Sequence, residues 1–146
     1  MRAVLACLPL LLSSAVAVSV PFTGWTTQDE WTAGAQTGVC LVREELHQQD
    51  FPALATQEEA LKFAQRLQQA LMARKLAGVV TQPVERPGQW GVLAAYVYTQ
   101  GGERYKVTQL YLSNAGKLRT FTGSARDGER DQCVNDMLSF VRYLAN

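Results

Sequence analysis

The stretch that decides the fold runs from Gly88 to Ser124 and reads GQWGVLAAYVYTQGGERYKVTQLYLSNAGKLRTFTGS. Three extended runs rich in Tyr, Val, Thr and Leu are separated here by Gly101-Gly102 and by the segment from Asn114 to Gly116. β-Branched and aromatic side chains suit a pleated, half-buried surface, and glycine or asparagine supplies the positive φ that short hairpin turns need. We therefore predict an antiparallel meander of three strands that contributes most of the core.

The two ends of this meander differ in polarity. The first strand, Val92 to Tyr98, is apolar on both faces, which predicts burial on both sides. The third strand, Lys117 to Ser124, is more polar, and we expect it nearer a solvated side. Upstream, Val79 to Glu85 predicts a strand at the sheet edge, because Pro83 has no amide to donate. A further strand is predicted over Gly38 to His47.

Two amphipathic helices are predicted to cover this sheet. Thr56 and Glu59 form a capping-box pattern, in which each side chain satisfies a free amide at the helix start. Apolar residues then recur at helical spacing up to a predicted stop at Gly78: Ala60, Phe63, Ala64, Leu67, Ala70 and Leu71. A second helix follows Asp131, with the apolar stripe Val134, Met137, Leu138, Val141 and Leu144. The predicted fold class is α+β: an antiparallel β-meander sheet packed against one long amphipathic helix and a C-terminal helix.

The N-terminal part of the chain has two segments of different character. Arg2, the apolar run Ala3 to Leu12 and the small residues Ala15 to Ala17 have the layout of a secretory signal peptide. A transmembrane anchor is the alternative, but the run is shorter than the ~20 apolar residues that span a bilayer. We predict a signal peptide over residues 1–17 and a single α+β domain over residues 18–146, exported to the periplasm or the extracellular medium.

Between the leader and the first predicted strand, Pro21 to Thr26 is interpreted as a short strand or an ordered arm. Residues 26–37 are polar and small and predict a loop. We interpret Phe22, Trp25 and Trp31 as apolar anchors. An aromatic binding site for a sugar or a peptide is the alternative for the two tryptophans.

The cysteines support the prediction of export. Cys7 leaves with the leader, so the domain retains Cys40 and Cys133. An even number of cysteines in an exported protein favours a disulfide, and we predict a bridge between these two. Two buried thiols, or one reactive cysteine, are the alternatives. Cys133 lies in the first turn of a predicted helix, where the pKa of a thiol can be lowered.

Charge and composition do not favour a nucleic-acid partner. The chain has 14 Lys and Arg against 13 Asp and Glu, and removal of Arg2 with the leader makes the domain neutral. Basic residues alternate with tyrosines, as on a stacking platform, at Arg104, Tyr105, Lys106, Tyr111, Lys117 and Arg119. Because the charge is balanced, we interpret these tyrosines as sheet residues that pack under the helices. The possibility that a ligand binds at the polar edge around Lys106, Lys117 and Arg119 stays open.

The sequence predicts no catalytic, cofactor-binding or metal-binding residue. It contains no G-x-S-x-G elbow, P-loop, G-x-G-x-x-G or H-E-x-x-H motif. A zinc site or a Cys–His pair would need His47, the only histidine, with Cys40 and Cys133, at spacings that no zinc motif uses. The carboxylates Glu44 and Glu45 would point to opposite faces of a strand, so they cannot form a glycosidase pair by themselves. Glu58 and Glu59 do not form a glycosidase pair either, because Glu59 is predicted to cap the helix.

Three short motifs and the order of elements resemble one superfamily. The motifs are Pro21 to Trp25, the tyrosine-rich run Tyr105 to Ser124 ending in Phe121-Thr122-Gly123-Ser124, and Ser139-Phe140. Together they are similar to the architecture shared by the Mog1, PsbP and DcrB-type proteins. The resemblance implies a binding or assembly factor without a common active site, so no functional residue transfers. The Cys40–Cys133 pair is not part of that pattern.

We therefore expect a small exported binding or accessory protein, whose partner could be another envelope or extracellular protein. The alternative is a small secreted hydrolase or inhibitor whose site comes from residues dispersed in the sequence. Convergent polar groups with perturbed pKa values in a cleft would favour the enzyme, and a smooth or apolar exposed face would favour the binding protein.

Overall fold

The computed structural model describes residues 24–27, 32–35 and 37–145. Several sequence predictions concern residues outside these ranges: the signal peptide over 1–17, the Pro21 and Phe22 part of the N-terminal arm, and Trp31. Within the described residues, neither helix combines the length and the apolar character that a membrane crossing requires.

The described chain forms seven β-strands and two α-helices. The strands are β1 (Trp25–Thr27), β2 (Thr32–Ala35), β3 (Cys40–Asp50), β4 (Ala77–Arg86), β5 (Gln89–Gln100), β6 (Glu103–Asn114) and β7 (Lys117–Arg126). The helices are α1 (Gln57–Ala73) and α2 (Gln132–Ala145). This confirms the predicted α+β class, with the three-strand meander in β5, β6 and β7.

The strands form one antiparallel sheet in the order β1-β2-β3-β7-β6-β5-β4. The edge position of β4 confirms the interpretation of Pro83. The prediction for the third meander strand is wrong, because β7 lies at the centre of the sheet between β3 and β6. Its hydroxyl residues Thr122 and Ser124 point to one face, whereas Phe121 and Ala125 are buried on the other face, which also carries Arg119 in an ion pair with Glu44.

The two helices cover opposite faces of the sheet. α1 packs Ala60 on Val92 of β5, and α2 packs Met137 in one cluster with Val42 of β3. Residues that are directly paired on neighbouring strands point to the same face of the sheet. Val42 pairs with Gly123 of β7, Gly123 pairs with Thr108 of β6, and Thr108 pairs with Ala95 of β5, so Val42 and Ala95 share a face. Ala95 is three residues from Val92, so the two side chains point to opposite sides. The first meander strand is buried at Val92 and only half-buried at Ala95, which corrects the prediction of burial on both sides.

The start of α1 is confirmed, and its predicted end is corrected. Oγ1 of Thr56 accepts a hydrogen bond from the amide of Glu59 at 3.2 Å, and the Glu59 carboxylate accepts one from the amide preceding the cap at 2.8 Å. The helix ends before Arg74, and Lys75 takes the left-handed conformation at φ 61°. The predicted stop, Gly78, lies inside β4. Lys75 thus occupies a position that is more often glycine.

A disulfide joins Cys40 to Cys133, as the cysteine parity predicts. Both residues are buried, and they connect the first residue of β3 to the first turn of α2. Asp131 caps this helix, since its carboxylate accepts a hydrogen bond from the Cys133 amide at 2.9 Å. The alternatives of free or reactive thiols do not apply to the bridged form.

The segment predicted as a loop contains a buried strand. All four residues of β2 are buried, and Ala33 pairs with Val42 of β3. Trp25 of β1 pairs with Ala35 and packs against the cluster around the disulfide, which fits its interpretation as an apolar anchor. Small residues give little strand signal in a sequence, but burial in a ladder outweighs that weak local preference.

Candidate functional site on the open face of the sheet

One side of the central strands has no helix over it among the described residues. α1 packs against β4 and β5, whereas α2 contacts β3, β6 and β7 from the opposite side. The side chains left uncovered by α1 form a surface that we name the open face. Its members are Leu41 and Arg43 of β3, Thr120, Thr122 and Ser124 of β7, Tyr105, Val107 and Gln109 of β6, and Tyr96 and Tyr98 of β5. Thr120 and Val107 are buried among their neighbours, so the other members form its accessible surface.

A chain of hydrogen bonds crosses the open face. Arg43 is the register partner of Thr122, and Thr122 is the partner of Gln109. The Tyr111 hydroxyl donates to Oε1 of Gln109, and Nε2 of Gln109 donates to Oγ1 of Thr122 at 2.9 Å. The oxygen and the nitrogen of the Gln109 amide therefore each have a hydrogen-bond partner, and this fixes the orientation of the amide. The network presents a rigid, polar floor in the middle of the sheet.

A cavity of ≈ 290 Å³ lies beside this network. Arg74, the C-cap residue of α1, borders the cavity on the helix side. Its other lining residues are Leu76, Tyr96, Tyr98, Val107, Thr122 and Ser124. The cavity therefore combines an aromatic and aliphatic wall, the hydroxyl groups of two tyrosines, one threonine and one serine, and one guanidinium.

The tyrosines of the meander divide into two environments. Tyr111 packs against Phe63 of α1, with ring centroids 5.9 Å apart, as predicted for tyrosines under a helix. Tyr98 and Tyr105 instead stack on each other at 5.3 Å on the open face, and Tyr96 lines the cavity. Burial raises the pKa of Tyr96, and it raises the pKa of Tyr111 to about 12. Both hydroxyls stay protonated near neutral pH and can donate hydrogen bonds.

The histidine lies on the same side of the sheet, away from the cysteines. His47 Nε2 is 2.9 Å from Oγ1 of Thr120 and 3.8 Å from a carboxylate oxygen of Glu45. A catalytic histidine uses one ring nitrogen for the nucleophile and the other for an orienting group. Here both contacts use the same nitrogen, and Thr120 is only 2% exposed. The arrangement is that of a structural hydrogen bond.

The structure does not bring the other chemically interesting residues together. Cys40 is on the α2 side of β3, opposite to His47, and is bonded to Cys133. Among the described residues, no three His, Cys, Asp or Glu side chains cluster as metal ligands would. Glu44 and Glu45 point to opposite faces, as predicted, and Glu59 acts as a cap.

The alternating basic and aromatic residues are dispersed over both faces and several ion pairs. Lys106 lies on the α2 side, whereas its neighbour Tyr105 lies on the open face. The three other basic residues each pair with an acid: Arg104 with Asp127, Lys117 with Asp50, and Arg119 with Glu44. Lys106, Lys117 and Arg119 lie on the same, α2 side of the sheet, but Lys106 is six residues along β6 from Leu112, the register partner of Arg119. Because Lys117 and Arg119 are also held in ion pairs, the three residues do not form one free basic patch.

The open face could have been found from one signal in the sequence. β7 alternates Thr120, Thr122 and Ser124 with apolar residues, and such alternation in a central strand indicates a sheet with one uncovered side. Arg74 gave no comparable signal, because it reads as an ordinary cation near a helix end. Its position over the cavity depends on where the helix crosses the sheet.

Comparisons with known proteins do not assign a role to the open face. No protein-family model matches the chain, and no curated protein matches it either. The open face itself offers hydroxyl groups, one amide, tyrosine rings and a guanidinium. Such groups recognise a ligand by hydrogen bonds, stacking and charge.

Proposed function

We propose that the protein is a small exported binding protein, and that its ligand lies on the open face. The observation that supports this most directly is the pairing of the Tyr111–Gln109–Thr122 network with the adjacent cavity. The network is fixed in geometry, and the cavity beside it has both apolar walls and polar groups. Preorganised sites of this kind lose little conformational freedom when they bind.

The chemistry of the open face supports binding rather than hydrolysis. General acid–base catalysis works best when the pKa of the group lies near the working pH. Burial moves the pKa of Tyr111 to about 12, away from neutrality. The hydroxyl of Thr120 contacts His47 but is buried beneath its neighbours, so it does not present a nucleophile to a substrate.

The disulfide supports export. Bridges persist in the periplasm and outside the cell, whereas cytosolic thiols are kept reduced. The Cys40–Cys133 bridge lies inside the largest buried cluster of the described core, where it connects the first long strand to the last helix. Together with the signal-peptide layout of residues 1–17, it favours a periplasmic or extracellular location. The resemblance to the Mog1, PsbP and DcrB-type proteins is in keeping with a binding or assembly role.

Intact mass of the natively expressed protein tests the proposed location. We expect a chain that begins near Val18 and takes up no alkylating reagent until it is reduced. Recovery of the full-length chain in the cytosol, with two alkylatable thiols, would contradict export and reopen the cysteine-nucleophile alternative.

Amide chemical shifts of the ¹⁵N-labelled domain test the proposed binding surface. A mixed library of small polar and aromatic compounds is titrated in groups, and the perturbed amides are mapped. We expect perturbations on β6, β7 and β3 around Gln109 and Thr122. Perturbations confined to the α2 side would contradict the assignment, and chemical turnover of a compound would favour the hydrolase.

A further inference from the structure

We propose that the ligand of the open face is a small organic anion, with its carboxylate or other oxyanion at Arg74 and its ring against Tyr96 and Tyr98. This inference rests on the proposed function and specifies the chemical class of the ligand. It is argued from the charge, the shape and the lining of one cavity.

Arg74 carries a charge that no acid among the described residues compensates. It forms none of the ion pairs of the described residues. Other arginines near the open face do have acidic partners: Arg43 pairs with Glu45 at 3.5 Å, Arg104 with Asp127 at 3.6 Å, and Arg126 with Glu103 at 3.5 Å. A guanidinium without an ion-pair partner beside a cavity can donate two parallel hydrogen bonds to an oxyanion in a bidentate contact.

The position of this charge is set by the backbone. Arg74 is the C-cap of α1, and its amide donates to the carbonyl of Leu71 at 3.2 Å. The following residue, Lys75, turns the chain into β4. The backbone amide of Arg74, and not its side chain, makes the capping hydrogen bond. The side chain borders the cavity together with Leu76.

The lining of the cavity is compatible with a negative charge. Its polar groups are the guanidinium and the side chains of Tyr96, Tyr98, Thr122 and Ser124, which all can donate hydrogen bonds. No carboxylate is among the described lining residues. A cationic ligand would face an unpaired arginine here, whereas an anion would neutralise it.

The charge of Arg74 also influences the neighbouring tyrosines. Burial raises the pKa of Tyr96 and of Tyr111, and in both cases the positive charge of Arg74 opposes that rise. This is in keeping with the position of Arg74 beside Tyr96 in the lining of the cavity.

The size of the cavity limits the ligand. Ligand pockets of proteins hold roughly 300–1,000 Å³. A cavity of ≈ 290 Å³ lies just below that range and suits one ring with one acidic substituent. The wall formed by Leu76, Tyr96, Tyr98 and Val107 offers an apolar surface to such a ring.

Benzoate and its neutral isostere benzamide are the probes for this inference, with phenyl phosphate to distinguish a carboxylate from a phosphate ligand. Each is titrated into the oxidised ¹⁵N-labelled domain. We expect benzoate or phenyl phosphate to perturb amides around Tyr96 and Thr122. The affinity of that anion should be at least about tenfold higher than the affinity of benzamide, and it should fall as salt is added.

Three substitutions separate the role of Arg74 from a general effect of charge. Arg74→Ala is expected to weaken anion binding about tenfold or more, and Arg74→Lys to retain part of it. Arg66→Ala is the matched control, because Arg66 of α1, like the C-cap residue Arg74, is exposed and forms none of the ion pairs of the described residues, but it lines a different cavity. Circular dichroism melts verify that each variant is folded.

The outcomes distinguish this inference from the proposed function. Equal affinities for benzoate and benzamide, or equal effects of Arg74→Ala and Arg66→Ala, would overturn the anion assignment. Library compounds that perturb the open face while neither anion binds would also overturn it, and the proposed function would stand. If no library compound and no anion perturbs this face, both proposals fail.

Discussion

Oε1 of Glu44 on β3 accepts a hydrogen bond from Nε of Arg119 on β7 at 2.7 Å, and Nη2 of Arg119 lies 2.7 Å from the same oxygen in the ion pair. The Glu44 side chain is 8% exposed and that of Arg119 is 34% exposed. The guanidinium also lies over the ring of Phe121, with Cζ 4.7 Å from the centroid. A nearly buried charge in the middle of the sheet therefore depends on one partner from a neighbouring strand.

Removal of that partner should destabilise the fold. Arg119→Met leaves the Glu44 carboxylate buried and unpaired, which should lower the free energy of unfolding by roughly 3 kcal/mol. Urea denaturation at neutral pH measures the change. Arg43→Met is the control, because Arg43 is 59% exposed and pairs with Glu45 at 3.5 Å. It should lose less than about 1 kcal/mol, and equal losses would contradict the special role of the buried pair.

The disulfide should contribute a large part of the stability. Cys40 and Cys133 are 93 residues apart in the sequence, and bridges over long loops restrict the unfolded chain most. Replacement of both cysteines by serine should lower the free energy of unfolding by about 2–5 kcal/mol. Denaturation of the unmodified domain with and without a reductant provides the comparison, since reduction should reproduce most of the loss. A midpoint that does not move on reduction would refute the prediction.

Gly123 should tolerate no side chain while Met137 is present. A Cβ at Gly123 would lie 2.6 Å from Cγ and 2.9 Å from Sδ of Met137. Gly123→Ala should therefore cost about 1–3 kcal/mol through overpacking. In the Met137→Ala background the same substitution should cost much less, because the opposing atoms are gone. A double-mutant cycle measures this coupling, and additive effects would show that the contact does not limit the size of residue 123.

The stability should fall at high pH because of Tyr111. Burial raises the pKa of this hydroxyl to about 12 in the folded protein, compared with about 10 in an unfolded chain. The associated stability is fully present below pH of about 10, and it is lost as the pH rises towards 12, by at most roughly 2–3 kcal/mol. Tyr111→Phe should lose less stability over this interval.

Denaturant midpoints recorded at several pH values for the unmodified protein and for Tyr111→Phe test this dependence. Tyr143→Phe is the control, since Tyr143 is 74% exposed. Its curve should follow that of the unmodified protein. If the curve of Tyr111→Phe also runs parallel to it, the titration of Tyr111 is not the cause of the loss.

Local patterns in the sequence were sufficient for much of the fold. The capping box at Thr56 and Glu59 is formed by two side chains three residues apart, so the start of α1 follows from short-range chemistry. Pro83 similarly identifies β4 as an edge strand without any knowledge of its neighbours. The even number of cysteines, together with the predicted export, favoured the bridge that the structure contains. By contrast, β2 was missed because its small residues become a strand only through burial against β3.

The candidate site could be predicted only in part. The polar alternation of β7 is visible in the sequence, but its meaning depends on whether β7 is a central strand or an outer one. In the sequence Arg74 is an ordinary cation near a helix end, and no pattern near it indicates a cavity. The residues that form the site with it come from β5, β6 and β7 and from the turn after α1.

The sequence by itself determined the strands of the meander and the two amphipathic helices, and it predicted the pairing of Cys40 with Cys133 while free thiols stayed an alternative. The tertiary structure decided the bond between the cysteines, the order of the strands and the opposite placement of the helices, and among the described residues it left one side of β3, β7 and β6 without a helix. The physical reason is the range of the interactions. Caps, turns and periodicity act over a few residues, whereas the open face exists because α1 covers only part of a sheet whose strands come from distant parts of the chain.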